Sequence, residues 1–149
     1  MASRNPKTVV SSDSSYAVTL RLRHPTIDPA LLTKTLKLEP IHSWKAGDPR
    51  LSQTGAPLGG QHRDSYWSAR LPFQTVGGAT LSLETFLSAQ LLQLARHRDF
   101  LSDFQVHGGE ISLVVEVAPL ANAVVTLTSA MSRRLADLNV EVEFQFPGD

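Results

Sequence analysis

Three stretches of this chain alternate apolar and polar residues with a period of two, and that rhythm limits the fold more than any other feature. In the first, Tyr16, Val18, Leu20 and Leu22 fall on one side and Ala17, Thr19, Arg21 and Arg23 on the other. In the second, Ile111, Leu113, Val115 and Val117 alternate with Ser112, Val114, Glu116 and Ala118. In the third, Val140, Val142, Phe144 and Phe146 alternate with Glu141, Glu143 and Gln145. Successive side chains of a strand point to opposite faces, so each stretch reads as a strand with one apolar face. Such a sheet needs a second layer to cover its apolar side.

That layer is supplied by helices with recognisable ends. Asp28-Pro29 is a helix start, because the Asp side chain accepts a bond from an orphan amide and Pro lacks a donor where none is needed. The helix runs through Leu36 with a stripe of Leu31, Leu32, Thr35 and Leu36, and stops before Pro40. From Ser82 to Ala95, residues Leu83, Phe86, Leu87, Leu91 and Leu94 share one face, with Ser82 as N-cap. A further turn or two carries Phe100, Leu101 and Phe104 to the Gly108-Gly109 stop. A last helix, capped by Thr128 or Ser129, carries Met131, Leu135 and Leu138 and ends at Asn139. Ile41–Ala46 reads as a short strand and Ser65–Leu71 as a better one, with Trp67, Ala69 and Leu71 on one side.

Residues 16–44 and 111–146 thus repeat the order strand, helix, strand, and the helix is followed by Leu-Lys-Leu-Glu in one and Leu-Asn-Val-Glu in the other. The expected fold class is α+β: a ferredoxin-like or related two-layer sandwich, with a largely antiparallel sheet and helices packed on one face. At 149 residues and 42% hydrophobic, the chain can build one core without a staple. Residues 1–14 read as a flexible tail and 15–149 as a single domain with a long loop at about 45–64.

Fourteen basic groups balance fourteen acidic ones, so nothing in the net charge attracts nucleic acid or an anionic membrane. The outward strand positions listed above hold no aromatic residue on which an RNA base would stack; Tyr66 alone, sharing a side with Ser68 and Arg70, offers one. Arg21 and Arg23 against Glu116, Glu141 and Glu143 point instead to ion pairs across strands. The absence of cysteine excludes disulfides, thiolate metal sites and cysteine nucleophiles. No run of eighteen apolar residues is present, and the first fourteen residues lack an apolar leader core, so a cytoplasmic location is expected.

Chemistry has most room between Lys45 and Asp64, about twenty residues without periodicity, flanked by Trp44 and Trp67. Lys45, Arg50 and Arg63 are placed to meet an anionic ligand, with Trp44 or Trp67 as a stacking wall and Asp48 in the same segment. Turn chemistry explains Gly47-Asp48-Pro49 equally well: the Asp side chain bonds nearby amides and both tryptophans serve as core or edge. The five histidines show no His-x-His and no i, i+4 pair, so they read as surface or loop residues and no metal is expected. His42, Asp48, His62 and Asp64 form the one acid–base set that the loop could bring together, yet no nucleophile, base and orienting group stand in a recognisable order. Catalytic residues stay unassigned, and no cofactor is expected.

The order Leu36-Lys37-Leu38-Glu39-Pro40, then Trp44-Lys45-Ala46-Gly47-Asp48-Pro49, then Tyr66-Trp67-Ser68, followed by the Leu-rich helix and Arg133-Arg134-Leu135-Ala136-Asp137-Leu138, resembles the bacterial proteins grouped as domain of unknown function 4279. Pro40, Trp44, Gly47, Asp48 and Trp67 are the sharpest marks. The resemblance implies a small single-domain protein without an established activity, substrate or cofactor, and no catalytic residue is carried over. The leading expectation is a non-enzymatic ligand- or protein-binding domain that uses Trp44, Lys45, Asp48, Arg50, Arg63 and Trp67. Its partner is a small molecule, another protein or a second copy in a homodimer, not nucleic acid or membrane. The alternative is a small-molecule enzyme with an acid–base site near residues 45–64.

Overall fold

The computed structural model describes residues 16–72, 75–76, 79–80, 82–117 and 125–146; the expected tail at 1–14 lies outside them. In chain order the elements are β1 (Tyr16–His24), α1 (Pro29–Leu36), β2 (His42–Trp44), β3 (Pro49–Leu51), β4 (Pro57–Gln61), β5 (Ser65–Arg70), β6 (Thr75–Val76), β7 (Ala79–Thr80), α2 (Leu83–Ala95), α3 (Arg98–Val106), β8 (Glu110–Val117), α4 (Ser129–Asp137) and β9 (Val140–Gln145). Five strands form the main sheet in the order β2-β5-β1-β8-β9, and β3-β4 and β6-β7 are separate two-stranded pairs. Every neighbouring pair in the main sheet is antiparallel except β8-β9, which is parallel.

The alternation read from β1 is the one the sheet uses. Val18, Leu20 and Leu22 point to the helices and are buried, in register with Ala69 and Trp67 on β5 and with Val115, Leu113 and Ile111 on β8. Phe86, Leu87, Leu91 and Leu94 of α2, Leu101 and Phe104 of α3, and Met131 and Leu135 of α4 close the same core. At roughly 1.5 to 3 kcal/mol for burying each large apolar side chain, this cluster is the main source of stability. All four helices among the described residues lie on that face. Arg98, which resembles a cation at the end of α2, instead opens α3.

The caps follow local chemistry. Asp28 Oδ1 accepts from Ala30 N at 3.0 Å, Ser82 Oγ from Thr85 N at 3.2 Å and Thr128 Oγ1 from Met131 N at 3.2 Å. Lys37 and Asn139 end α1 and α4 in the left-handed conformation, at φ 57° and 54°. Gly109 is required for a different reason: a Cβ there would overlap the Phe104 ring and carbonyl.

Three expectations change. Leu31 is 44% exposed, because α1 turns Leu32 and Thr33 to the sheet instead; Thr33 Oγ1 accepts from Trp67 Nε1 at 3.0 Å. His24 is no surface histidine. It continues the inward phase of β1, is 7% exposed, packs on Phe104 at 5.0 Å, and its Nδ1 accepts from the amides of Thr26 and Ile27 at 3.0 and 2.9 Å. Finally, residues 45–64 are not a featureless loop, since they contain the β3-β4 hairpin. Every residue of its two strands is exposed, so no apolar rhythm marks it; backbone bonds pair the strands, and Ser52 Oγ accepts from Thr54 N and Ala56 N to close the turn.

Candidate functional site

The helix-free face of the sheet is built by the residues that alternate with the core. Cross-strand register puts Trp44, Tyr66, Arg23 and Glu110 in one row, and His42, Ser68, Arg21, Ser112 and Glu141 in the next. The cations of this face, Arg21, Arg23 and Arg70, stand on β1 and β5. Its anions, Glu110, Glu116, Glu141 and Glu143, stand on β8 and β9. The ion pairs skip a strand: Arg21 reaches Glu143 at 2.9 Å across β8, and Arg70 reaches Glu116 at 3.6 Å across β1. Two strand spacings amount to about 9.6 Å, which an extended Arg and Glu can bridge. Bonds from Gln145 and Arg21, with the Arg21 charge, hold the Glu143 carboxyl below its usual range. Ser68, Ser112 and Val114 are buried on this face.

At the β2 edge three rings form a stack. Trp44 lies 4.6 Å from Tyr66 with planes 17° apart, and 4.2 Å from His62 with planes 13° apart. Strand alternation explains Tyr66, and pairing of β2 with β5 sets Trp44 directly beside it. The turn that follows Trp44 brings His62 back. Asp48 N donates to Lys45 O, Lys45 N donates to Asp48 Oδ2, and both bonds are 2.9 Å. Gly47 sits at φ 93°, where an L side chain is strained, and its amide donates to His62 O. His62 N returns a bond to Asp48 O, and Ala46 N donates to Ser65 Oγ.

The expected site residues therefore separate. Trp44 is half-buried in the stack, while Lys45, Asp48, Arg50 and Arg63 are exposed nearby in sequence. Arg23, Lys45, Arg50 and Arg63 have no ion-pair partner among the described residues. Trp67 is corrected as a stacking wall: it is fully buried, on the sheet face opposite Trp44. Asp48 uses its carboxylate to close the turn, and the His62 ring is occupied by Trp44. No group of three or more His, Asp or Glu among the described residues is arranged to hold a metal ion.

A family model described as a domain of unknown function (DUF4279) matches residues 14–148. The chain belongs to the DUF4279 family. Trp44, Gly47 and Asp48, on which the resemblance rested, form the turn and stack of this DUF4279 domain. No curated protein matches the chain significantly. Among the described residues of the domain, no helix is long and apolar enough to cross a membrane.

A cavity of about 220 Å³ on the helix side is lined by apolar positions such as Leu20, Leu36 and Leu71 together with Gln90, Gln93 and His97, and the pattern did not single out Gln90 or Gln93. Gln90 was visible as an anomaly: a polar residue between Leu87 and Leu91 inside the apolar stripe of α2.

Proposed function

We propose that this DUF4279 domain is a non-enzymatic binding module whose ligand rests on the His62–Trp44–Tyr66 stack and presents negative charge to the neighbouring cations. The observation that carries the reading is the stack itself, three nearly parallel rings held at one sheet edge with Arg23 directly opposite Tyr66 in register. Aromatic faces offer planar contact, and unpaired guanidinium groups beside them suit carboxylate or phosphate. Four glutamates on the other half of the same face weigh against a long nucleic acid as that ligand, and favour a compact anion or an acidic protein segment.

The fold supports the same reading. The path β1-α1-β2-β5-α2-α3-β8 has the strand order β2-β5-β1-β8 with antiparallel neighbours, which we take as a ferredoxin-like core to which α4 adds the parallel β9. Among the described residues, this plan leaves one sheet face without helices, open to contact with a partner.

Co-purification from the native host, with mass spectrometry of retained small molecules and proteins, tests the proposal when wild type is run beside Trp44→Ala and Arg23→Glu. The expected result is an acidic molecule or protein retained by wild type and lost from both variants at unchanged melting temperature. Equal retention by all three would place binding elsewhere. A conversion of the retained compound by wild type, abolished in His62→Ala or Asp48→Ala, would instead establish the enzymatic alternative.

A further inference from the structure

The cavity on the helix side lies away from the aromatic stack and has its own chemistry. Its lining takes Leu20 from β1, Leu36 from the end of α1, Leu38 just after it and Leu94 from α2, with Leu71 and Pro72 beyond β5. Leu20, Leu71 and Leu94 are buried, so the space reaches into the core. Its polar groups come from one stripe of α2 and the turn after it: Gln90, Gln93 and His97, spaced by three and four residues. Among the described residues, no Lys, Arg, Asp or Glu lines it.

Gln90 is the informative member. It is 9% exposed and lines the cavity, yet its carboxamide has no hydrogen-bond partner among the described residues. No fully buried side-chain nitrogen or oxygen among the described residues lacks a partner, so the Gln90 carboxamide meets solvent within the cavity, and a ligand that displaces that solvent must bond it in turn. Leucine at this position would extend the stripe of Phe86, Leu87, Leu91 and Leu94 but would offer a ligand no polar contact. Concave, mostly apolar spaces with a few converging polar groups are the usual form of a small-molecule site.

We propose that this cavity binds a small, uncharged, largely apolar molecule that presents an amide-like edge, one donor beside one acceptor, to Gln90. Size and charge set the class. An apolar cavity of about 150 Å³ accepts benzene, so about 220 Å³ admits one ring with a short substituent. A carboxylate would enter with no lysine or arginine among the described lining residues to meet it, which burial penalises. The Gln90 carboxamide supplies both a donor and an acceptor, and Gln93 and His97 stand along the same stripe to bond a second polar atom.

The test is a chemical-shift titration of the full ¹⁵N-labelled chain with benzamide, toluene and benzoate as probes. The expected result is saturable shifts at the amides of Leu20, Gln90 and Leu94, with benzamide binding more tightly than toluene and benzoate weakest. Gln90→Met should weaken benzamide at least tenfold and leave toluene unchanged or tighter. Leu36→Trp, which fills the space from the α1 side, should abolish both. If Gln90→Met does not fold, the ranking of the three probes on wild type and the Leu36→Trp result still decide. Absence of saturable shifts, benzoate binding as tightly as benzamide, or benzamide binding unchanged in a folded Gln90→Met would overturn the proposal.

Discussion

The two strand-helix-strand units of this domain begin alike and end differently. In β8-α4-β9 the second strand starts at Val140, immediately after the left-handed Asn139, and lies parallel against the first. In β1-α1-β2 the left-handed residue is Lys37, at the same place in the repeat, but Leu38-Glu39-Pro40 and Ile41 intervene before β2 begins at His42. The strand is then three residues long and pairs with β5, which has taken the place beside β1. Pro40 has no amide to donate to a ladder, and the pairing with β5 starts only after it, at His42. The difference shows how one local pattern serves two roles: the closed unit extends the core, and the opened unit admits β5, whose two faces supply Trp67 to the core and Tyr66 to the candidate site.

If β5 is the wedge that makes the first unit different, Trp67→Ala should have the largest effect, roughly 3 to 5 kcal/mol of unfolding free energy by denaturant titration, because it empties the slot between β1, β5 and α1. Leu135→Ala in the closed unit should cost less, near the lower end of roughly 2 to 5 kcal/mol, since Leu135 lies at the margin of the core with 7% exposure. Equal losses would erase the contrast.

Acid should separate the units as well. Burial, and then the nearby His107, hold His24 below the ordinary histidine value of 6.5, while Asp103 acts weakly in the other direction. Between the folded and unfolded values the unfolded chain binds the additional proton. The stability tied to neutral His24 is therefore whole above about pH 6.5 and is lost as pH falls from there through the folded value. Chemical denaturation should show a midpoint that falls over this range in wild type and much less in His24→Asn, where a side-chain oxygen replaces Nδ1 as acceptor for Thr26 and Ile27. An unchanged slope in His24→Asn would assign the acid sensitivity to another group.

The smallest effect probes the shared cap. Lys37→Gly should stabilise the domain by about 1 kcal/mol in thermal melts, because glycine adopts the left-handed region without the clash that lysine bears. Asn139→Gly should gain less, since Asn tolerates that region better. A larger gain at Asn139 would mean the two positions are not equivalent.

What is legible in the sequence is what short-range chemistry decides. The caps at Asp28, Ser82 and Thr128, the left-handed Asn139 and the inward phase of β1, β5 and β8 depend on neighbours within a few residues. The insertion of β5 beside β1 is a pairing of distant segments, and nothing in the period of either strand encodes it. The β3-β4 hairpin escaped because all its side chains face solvent, and three residues of β2 are too few to show which way Trp44 points. His24 and Gln90 are polar residues set in apolar phases, and each is buried where its phase puts it rather than where its side-chain type alone points.

The central claim is that the two tryptophans occupy opposite faces of one sheet, Trp44 in the candidate site and Trp67 in the core. Acrylamide quenching of Trp44→Phe, which leaves Trp67 as the only tryptophan, compared with wild type tests it directly. The account predicts a blue-shifted, scarcely quenched emission from Trp67 and a readily quenched component in wild type that the substitution removes. Trp67 quenched as readily as the wild-type component would contradict it.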